Sequence, residues 1–263
     1  MANEFYIYLS ILTPLIAFFI TPLLSSNPNL RDSLGPIGGI ITFYSSLNIA
    51  LLYLNGEILS YTFFEINETL SISFKINGLG VIFGLVASGL WILASIYTIG
   101  YMRGNKEKNQ TRFFTFYSIA IFAAICIAYS GNLLTLFIFY EVLTFSTYPL
   151  VAHKQNDEAK KAGRLYMGIL VGTSIVFLLP AIIIVWVLTG SLDFSPTGVL
   201  KGNISNEYVP FLLALFAFGI GKAALMPFHK WLPAAMVAPT PVSALLHAVA
   251  VVKAGVFSML VVI

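Results

Sequence analysis

Apolar runs of about 20 residues recur along the chain and constrain its fold more than any other feature. An α-helix needs a run of this length to cross the hydrocarbon core of a bilayer. Gly131 and Asn132 leave room only for a tight hairpin between the fourth and fifth runs. The sequence therefore predicts an all-α, polytopic membrane bundle of about eight transmembrane helices, near 4–23, 36–54, 79–101, 112–130, 132–152, 163–189, 208–236 and 240–263.

Composition agrees with this class and argues against others. Of 263 residues, 58% are hydrophobic and 10% are charged, whereas a soluble domain carries about 25% charged residues. The net charge of +3 comes without the dense basic cluster of a nucleic-acid-binding protein. The single cysteine, Cys126, excludes an internal disulfide and a cysteine-clustered metal site. The first run lacks the positive start of a signal peptide, so we expect it to remain as a helix.

Lysine and arginine counts predict the orientation, because cytoplasmic loops carry an excess of both. One set of alternate loops holds nine of them and the other set holds two. We therefore expect a multi-pass protein of the cytoplasmic membrane with its amino terminus outside. The richer set is Arg31, Arg103, Lys106, Lys108, Arg112, Lys154, Lys160, Lys161 and Arg164, and the poorer set is Lys75 and Lys201.

Two segments are polar enough to be outer loops, 55–78 and 190–207. Within the first, residues 59–67 and 70–76 alternate between apolar and polar side chains. That alternation is typical of β-strands. It predicts a short β-hairpin on the outer surface.

Residues 222–253 combine charge with helix breakers. This stretch holds three lysines, two histidines and several prolines inside runs that otherwise predict membrane helices. An ionisable group at bilayer depth costs about 2.5–3.5 kcal/mol on insertion scales. Broken helices at that depth persist only where the freed backbone is buried in protein or lines a wet cavity. The combination indicates an ion path, with the seventh helix broken at Pro227.

Glu141 and Lys222 are the strongest candidates for a proton relay. Glu141 is the only acid inside a span, and Thr144 and Tyr148 follow it on the same helix face. Burial and a nearby carboxylate act in opposite directions on the protonation of a lysine. A lysine between these influences can change charge when its partner moves. The structural alternatives are that Glu141 only bonds neighbouring helices and that Lys222 only caps carbonyls freed by the break.

His247 and Lys253 lie on the last helix and are candidates for the next steps. Six residues of regular helix turn them about 120° apart with a rise of about 9 Å. Proton transfer between them would therefore need water or a helix irregularity. The alternatives are a structural histidine and a lysine that snorkels to the surface. His229 and Lys230 could line a cytoplasmic access path, or hold structure and reach the headgroups.

Three motifs show a resemblance to a known family. Residues 221–257, which begin Gly-Lys-Ala-Ala-Leu-Met-Pro-Phe-His-Lys-Trp-Leu-Pro, closely resemble the signature of antiporter-like membrane subunits. Phe139-Tyr-Glu-Val-Leu-Thr is similar to the family's fifth-helix glutamate motif, and Asn77-Gly-Leu to its Asp-Gly-Leu with an amide for the acid. The family includes the proton-pumping subunits of respiratory complex I, Mrp sodium/proton antiporter subunits, and relatives in membrane-bound hydrogenases and sulfane reductases.

The resemblance implies roles by position. Glu141 matches the family glutamate of helix five and Lys222 the lysine of the broken helix seven, whereas His247 and Lys253 match the continuation on helix eight. Lys230 occupies a variable position, so no role is implied there.

The resemblance also implies a domain organisation. Family members typically have fourteen helices with two inverted five-helix repeats. This chain resembles only the first, so we expect three amino-terminal helices with an outer loop in 1–111 and a five-helix repeat in 112–263. Either a partner chain supplies the second repeat or the sequence is part of a longer protein.

The expected function is translocation of an ion, a proton with or without sodium. The chain would be a membrane subunit of a complex I-like respiratory or hydrogenase-type assembly, or of a multi-subunit cation/proton antiporter. The alternatives are a non-conducting scaffold subunit and a standalone transporter of an organic solute. The sequence carries no recognisable catalytic centre, nucleotide loop, quinone motif or metal-ligand cluster, so we expect no cofactor and place any redox chemistry in other subunits.

Overall fold

The computed structural model describes residues 4–67, 69–195, 198–200 and 204–263. Within these residues, seven helical segments are long and apolar enough to cross a membrane. An eighth segment begins with the shorter apolar helix Val209–Gly219 and is broken in its middle. The predicted all-α, polytopic membrane bundle is confirmed. Lys201, which entered the loop count, lies outside the described residues.

The first four helices form one half of the bundle. They are α1 (Glu4–Leu23), α2 (Pro28–Leu54), α3 (Gly78–Gly104) and α4 (Gln110–Ala128). Helix α4 lies at the centre, because it packs against α1, α3 and α5. Every residue from 123 to 133 is buried. Large apolar side chains project outward from α1, α2 and α3, as expected for helices that face lipid.

Helix α2 begins eight residues earlier than its apolar run predicts. Pro28 occupies the first turn, where proline's missing N–H costs no hydrogen bond. Arg31 and Asp32, which precede the predicted run in the sequence, are 6% and 3% exposed. Their charges are paired in the structure, so the helix continues through them.

Asp32 joins three helices at this end of the molecule. Its carboxylate accepts from the guanidinium of Arg31 on the same helix at 2.7 Å and from that of Arg103 on α3 at 2.6 Å. Arg31 also donates to Thr111 (3.0 Å) and Gln110 (3.1 Å) on α4. Charge-assisted bonds of this kind are short and strong. We call this group the Asp32 network.

The predicted hairpin is present. Strands β1 (Ser60–Asn67) and β2 (Leu70–Lys75) pair antiparallel, from Ser60 opposite Lys75 to Asn67 opposite Leu70. The turn between α4 and α5 is bonded to β2, since the N–H of Gly131 donates to the Ser73 carbonyl at 2.9 Å. The hairpin is therefore fixed to the centre of the bundle.

The second half contains interrupted helices. Helix α5 (Leu133–Val151) is continuous, whereas α6 (Asp157–Thr173) continues through a π-helical turn at Ser174–Leu178 into α7 (Leu179–Thr189). The seventh segment consists of α8 (Val209–Gly219), 3-10 turns at Gly221–Ala223 and Phe228–Lys230, the short helix α9 (Trp231–Ala234) and a 3-10 turn at Ala235–Val237. The eighth consists of α10 (Thr240–Ala244), a π-helical turn at Leu245–Val249 and α11 (Val251–Val262).

Two details differ from the sequence prediction. The break in the seventh segment was predicted at Pro227, but the chain leaves the helix at Ile220. Proline disfavours helical angles at the residue before it and cannot donate to the turn behind it, so a wider segment is irregular. Helix α6 begins at Asp157, six residues before the predicted 163, because the Asn156 side chain caps it by accepting from the N–H of Ala159.

Candidate functional site

Lys222 lies within the break of the seventh segment. The chain leaves α8 at Ile220 (φ −82°, ψ 57°) and makes one 3-10 turn, after which Ala224 has left-handed backbone angles (φ 56°, ψ 39°). The side chain of Lys222 is 0% exposed. The break thus brings an amine into the interior of the bundle.

Close packing holds this turn in place. A methyl group at Gly255 on α11 would collide with the backbone of Lys222 and Ala223, so glycine permits this approach. From another direction, the indole Nε1 of Trp231 donates to the carbonyl of Gly221 at 2.9 Å. That carbonyl lies in the break, where regular helical partners are lost, and a side chain satisfies it instead.

Helix α5 binds the amine of Lys222. Nζ donates to the carbonyl oxygen of Tyr140 at 2.7 Å and to Oγ1 of Thr144 at 2.5 Å. It also lies 3.1 Å from the centroid of the Tyr140 ring. An ammonium has three N–H donors. Here two of them can bind oxygen acceptors and the third can point at the face of an aromatic ring. We call these groups of Tyr140 and Thr144 the α5 cradle.

Glu141 lies next to the α5 cradle but does not pair directly with Lys222. Both residues are among those described, and no ion pair within 4.0 Å joins them. Oε1 of Glu141 is buried and has no hydrogen-bond partner. The carboxylate nevertheless lies near the amine, because Tyr140 and Thr144, which bind Nζ, are the residue before Glu141 and the residue one turn after it on α5. The structure therefore brings the predicted acid and base close together, although the amine is bound by its neighbours instead.

The polar side chains after Glu141 face the bundle, as their spacing predicts. Thr144 is fully buried, and Tyr148 packs against Gly163 of α6. One turn beyond Thr144, the hydroxyls of Thr147 and Tyr166 form a buried hydrogen bond of 2.6 Å. Hydroxyl groups therefore continue from the α5 cradle toward α6.

His247 and Lys253 do not contact this site. Both are exposed on the surface of the chain. Among the described residues, no hydrogen bond or ion pair links either one to Lys222 or Glu141. His247 lies in the π-helical turn, and Ala250 (φ −126°, ψ −65°) interrupts the helix before Lys253. A helix irregularity of the kind that the sequence analysis required therefore separates them.

His229 and Lys230 lie in the 3-10 turn after Pro227. Lys230 is exposed and His229 is half-buried. Nδ1 of His229 is buried and has no hydrogen-bond partner. Neither residue bonds Lys222 in the described part of the chain, so an access role for them remains a prediction.

His153 is an ionisable residue that the sequence analysis did not single out. It follows the end of α5 and is 3% exposed, and its backbone carbonyl accepts from Arg112 at 2.9 Å. Burial, together with the positive charge of Arg112, lowers the pKa of His153 to about 4. It is therefore neutral at neutral pH.

Sequence reasoning also missed Tyr140, Tyr166 and Trp231 as parts of the site. Tyr140 precedes Glu141 in the quoted motif, but a motif does not tell which helix its ring faces. Contacts of Trp231 and Tyr166 depend on how three separate segments pack. Pro180 follows the π-helical turn at 174–178 and Pro241 precedes the one at 245–249, but a proline alone does not tell whether a helix ends, kinks or widens.

The described residues contain no group of three or more histidine, cysteine, aspartate or glutamate side chains that could hold a metal ion. Cys126 is buried and has no disulfide partner. The expectation that this chain carries no cofactor stays a prediction.

Comparison with known proteins now identifies the family. The profile described as "NADH:quinone oxidoreductase/Mrp antiporter, TM" matches residues 130–263, half of the chain. A second profile, "NADH-Ubiquinone oxidoreductase (complex I), chain 5 N-terminus", matches residues 63–114. Together the two profiles cover most of the hairpin, the α3 residue Arg103 of the Asp32 network, and the whole Lys222 site.

Curated relatives include mnhA2 antiporter subunits of two staphylococci. The chain is 31% identical over 189 residues to that of Staphylococcus haemolyticus (strain JCSC1435), with 71% of this chain and 24% of the relative covered. It is 30% identical over 190 residues to that of Staphylococcus epidermidis (strain ATCC 12228 / FDA PCI 1200), with 72% and 24% covered. The match thus spans about a quarter of the relatives' length.

Two solved structures share the fold. A chain of the membrane-bound sulfane sulfur reductase, an archaeal respiratory membrane complex, superposes with a TM-score of 0.82 at 24% identity, covering 96% of this chain and 52% of that one. A chain of the Mrp complex from Dietzia sp. DQ12-45-1b superposes with a TM-score of 0.75 at 21% identity, covering 95% and 27%. Because its profile covers the Lys222 site and half the chain, this protein belongs to the membrane-subunit family shared by NADH:quinone oxidoreductases and Mrp antiporters.

Proposed function

We propose that this chain is an ion-translocating subunit of a multi-subunit membrane complex and that Lys222 and Glu141 carry the proton. One observation carries the proposal. A fully buried amine is bound only by neutral groups, while a buried carboxylate oxygen beside it has no hydrogen-bond partner. Leaving a buried charged group unpaired is costly, so this arrangement is expected to serve a function.

The physics of the relay follows from the separation of the two groups. The free energy of holding a proton on Lys222 depends on the distance to the Glu141 carboxylate. A change of side-chain rotamer by Lys222 would change that distance, because lysine has a flexible four-carbon stem. The backbone of the turn at Gly221–Ala223 is held by close packing and by Trp231.

His247 and Lys253 would continue the path on α11. Both are exposed on a chain whose neighbouring helices cross a membrane, and a charge facing lipid is costly. We therefore propose that protein covers this face. That protein would be the second repeat, supplied by a partner chain or by a continuation of this one, since the sulfane reductase chain extends to about twice the matched length.

The finer assignments are part of the same proposal. Residues 1–111 would form the three-helix amino-terminal unit and 112–263 the first five-helix repeat. The arginine-rich end with the Asp32 network would face the cytoplasm and the amino terminus the outside. His229 and Lys230 would line the cytoplasmic access path.

Transport by the assembled complex in sealed vesicles tests the proposal. Lys222→Met and Glu141→Gln remove each charge and keep most of the side-chain volume, and we expect both to reduce proton or sodium transport to background with the complex still assembled. Lys106→Met, at an exposed loop position, is the matched control and should transport normally. Normal transport by Lys222→Met and Glu141→Gln would exclude the relay.

A non-conducting scaffold is the second candidate. It is favoured by the completeness of the α5 cradle, which offers each donor of the Lys222 ammonium a partner. A scaffold role predicts that Lys222→Met lowers the amount of assembled complex and leaves transport per complex unchanged. Measuring both quantities in the same vesicles separates the two functions.

A further inference from the structure

We propose that the α5 cradle is a resting position for the Lys222 ammonium, from which the amine moves to Glu141 during transport, and that Thr144 is the residue that positions it. This inference rests on the proposed function and specifies how the same site is regulated. In this role Thr144 acts through its hydroxyl group, which accepts a hydrogen bond from Lys222.

The α5 cradle suits a charged amine. The carbonyl of Tyr140, Oγ1 of Thr144 and the ring of Tyr140 all present negative charge density to Nζ. Thr144 donates its own proton to the Tyr140 carbonyl at 3.1 Å, which leaves its oxygen lone pairs free to accept from Lys222. The hydroxyl is therefore oriented as an acceptor for the ammonium.

A second position for the amine, beside Glu141, is near and has no other hydrogen-bond donor at Oε1. Glu141 and Thr144 are three residues apart on α5, so their side chains are neighbours on one helix face, about 5–6 Å between Cβ atoms. Oε1 of Glu141 is buried and lacks a hydrogen-bond partner. A lysine side chain has four rotatable bonds, so Nζ can pass from Thr144 to Glu141 without a large backbone movement.

Two contacts hold the backbone of Lys222 in place, so only its side chain needs to move. The N–H of Lys222 donates to the hydroxyl of Tyr140 at 3.0 Å, and Gly255 closes the opposite side of the turn. Neither contact involves the side chain of Lys222, so the amine can move while both persist. The cradle thus sets how much of the time the ammonium is away from Glu141.

Three variants of one position test this. Thr144→Val is nearly isosteric and removes the acceptor, so the ammonium should remain on Glu141. We expect the transport rate of the assembled complex to fall about tenfold, the factor given by loss of one hydrogen bond to a charged group. Thr144→Ser restores the hydroxyl and should recover most of the rate, whereas Thr144→Ala should behave like Thr144→Val. Thr115→Val, which removes a hydroxyl bonded only to its own helix, is the matched control.

A structure of the Thr144→Val complex supplies the second readout, which a purely structural threonine would not change. Nζ of Lys222 should lie within ion-pair distance of the Glu141 carboxylate. Failure of Thr144→Ser to recover transport, wild-type transport by Thr144→Val, or Lys222 remaining away from Glu141 would each overturn the inference.

The result is distinguishable from failure of the proposed function. If Lys222→Met and Glu141→Gln abolish transport while Thr144→Val transports normally, only the resting position is wrong. If Lys222→Met and Glu141→Gln transport normally, the relay itself fails. Should Thr144→Val not assemble, Thr144→Ala and Thr144→Ser still decide the question through the same comparison of rates.

Discussion

Two carboxylates on the described helices are in opposite situations. Asp32 accepts from Arg31 and Arg103 at 2.7 and 2.6 Å and joins three continuous helices. Glu141 has a buried oxygen without a partner, and the nearest amine is bound by the α5 cradle in a broken segment. A fully paired carboxylate holds helices together, and the Asp32 network does this. Under the proposed function, the Glu141 carboxylate is instead the group toward which the Lys222 amine moves.

The largest effect should come from breaking the Asp32 network. Asp32→Ala leaves Arg31 buried without its carboxylate, and loss of one partner of a buried ion pair costs about 3–5 kcal/mol. Thermal unfolding of the purified protein in detergent should show a large fall in midpoint. Transport per assembled complex should remain close to normal, and a specific transport defect at full stability would contradict the structural role. Asp32→Asn, which keeps one acceptor, should lose less.

His153 sharpens the comparison because it is buried and titratable but neutral. Its pKa is about 4 in the folded chain and about 6.5 when unfolded, so the unfolded state binds more protons between these values. The contribution of His153 to the free energy of unfolding should therefore be fully present above pH 6.5, decrease as the pH drops and level off below pH 4. The loss is at most about 3.5 kcal/mol, because the two pKa values differ by about 2.5 and each tenfold change in proton affinity is about 1.4 kcal/mol; solvent screening reduces it.

Unfolding temperatures measured from pH 7 to pH 4 check this prediction. His153→Gln cannot titrate, so its stability should depend less on pH over that range. Parallel curves for both proteins would show that His153 does not contribute.

Gly255→Ala tests whether the broken segment must stay in place. The added methyl group would meet the backbone of Ala223 and Lys222, and overpacking of this kind costs about 1–3 kcal/mol. Because the displaced turn carries Lys222, we expect Gly255→Ala to lower the transport rate per assembled complex even at temperatures where the protein remains folded. Gly168→Ala adds the same group at an exposed helical position where no neighbouring segment lies within 4 Å. It should leave transport unchanged and raise stability by up to about 1 kcal/mol through helix propensity. Equal behaviour of the two variants would contradict the packing role of Gly255.

The smallest effect concerns a helix cap in the first half. Asn77 accepts from the N–H of Gly80 at 2.7 Å, and Asn77→Asp would add a negative charge at the amino end of α3. We expect stabilisation of about 0.3–1 kcal/mol from the helix dipole, measured by thermal unfolding. Asn132→Asp is the matched control and should be destabilising. The Asn132 amide donates to Ser71 and Ser73, and an ionised aspartate cannot donate these bonds. Stabilisation by both substitutions would contradict this account.

Several elements were predictable from sequence for identifiable reasons. Spanning helices follow from apolar run length, and the hairpin follows from the alternation of apolar and polar side chains in 59–67 and 70–76. Where boundaries failed, at Pro28 and Asp157, charged residues at helix starts were satisfied by partners or caps that a hydropathy pattern does not contain. Glu141 and Lys222 were identifiable because ionisable groups are rare in apolar helices.

The sequence by itself determined that this chain crosses a membrane and carries an acid and an amine at bilayer depth, because both conclusions depend on local composition. Only the tertiary structure decided that Lys222 is bound by Tyr140 and Thr144 rather than by Glu141, and that His247 and Lys253 face outward. The contacts of Lys222 with Tyr140 and Thr144 join residues up to 82 positions apart in the sequence. Their geometry depends on how a broken segment packs between α5 and α11, and no local pattern encodes that packing.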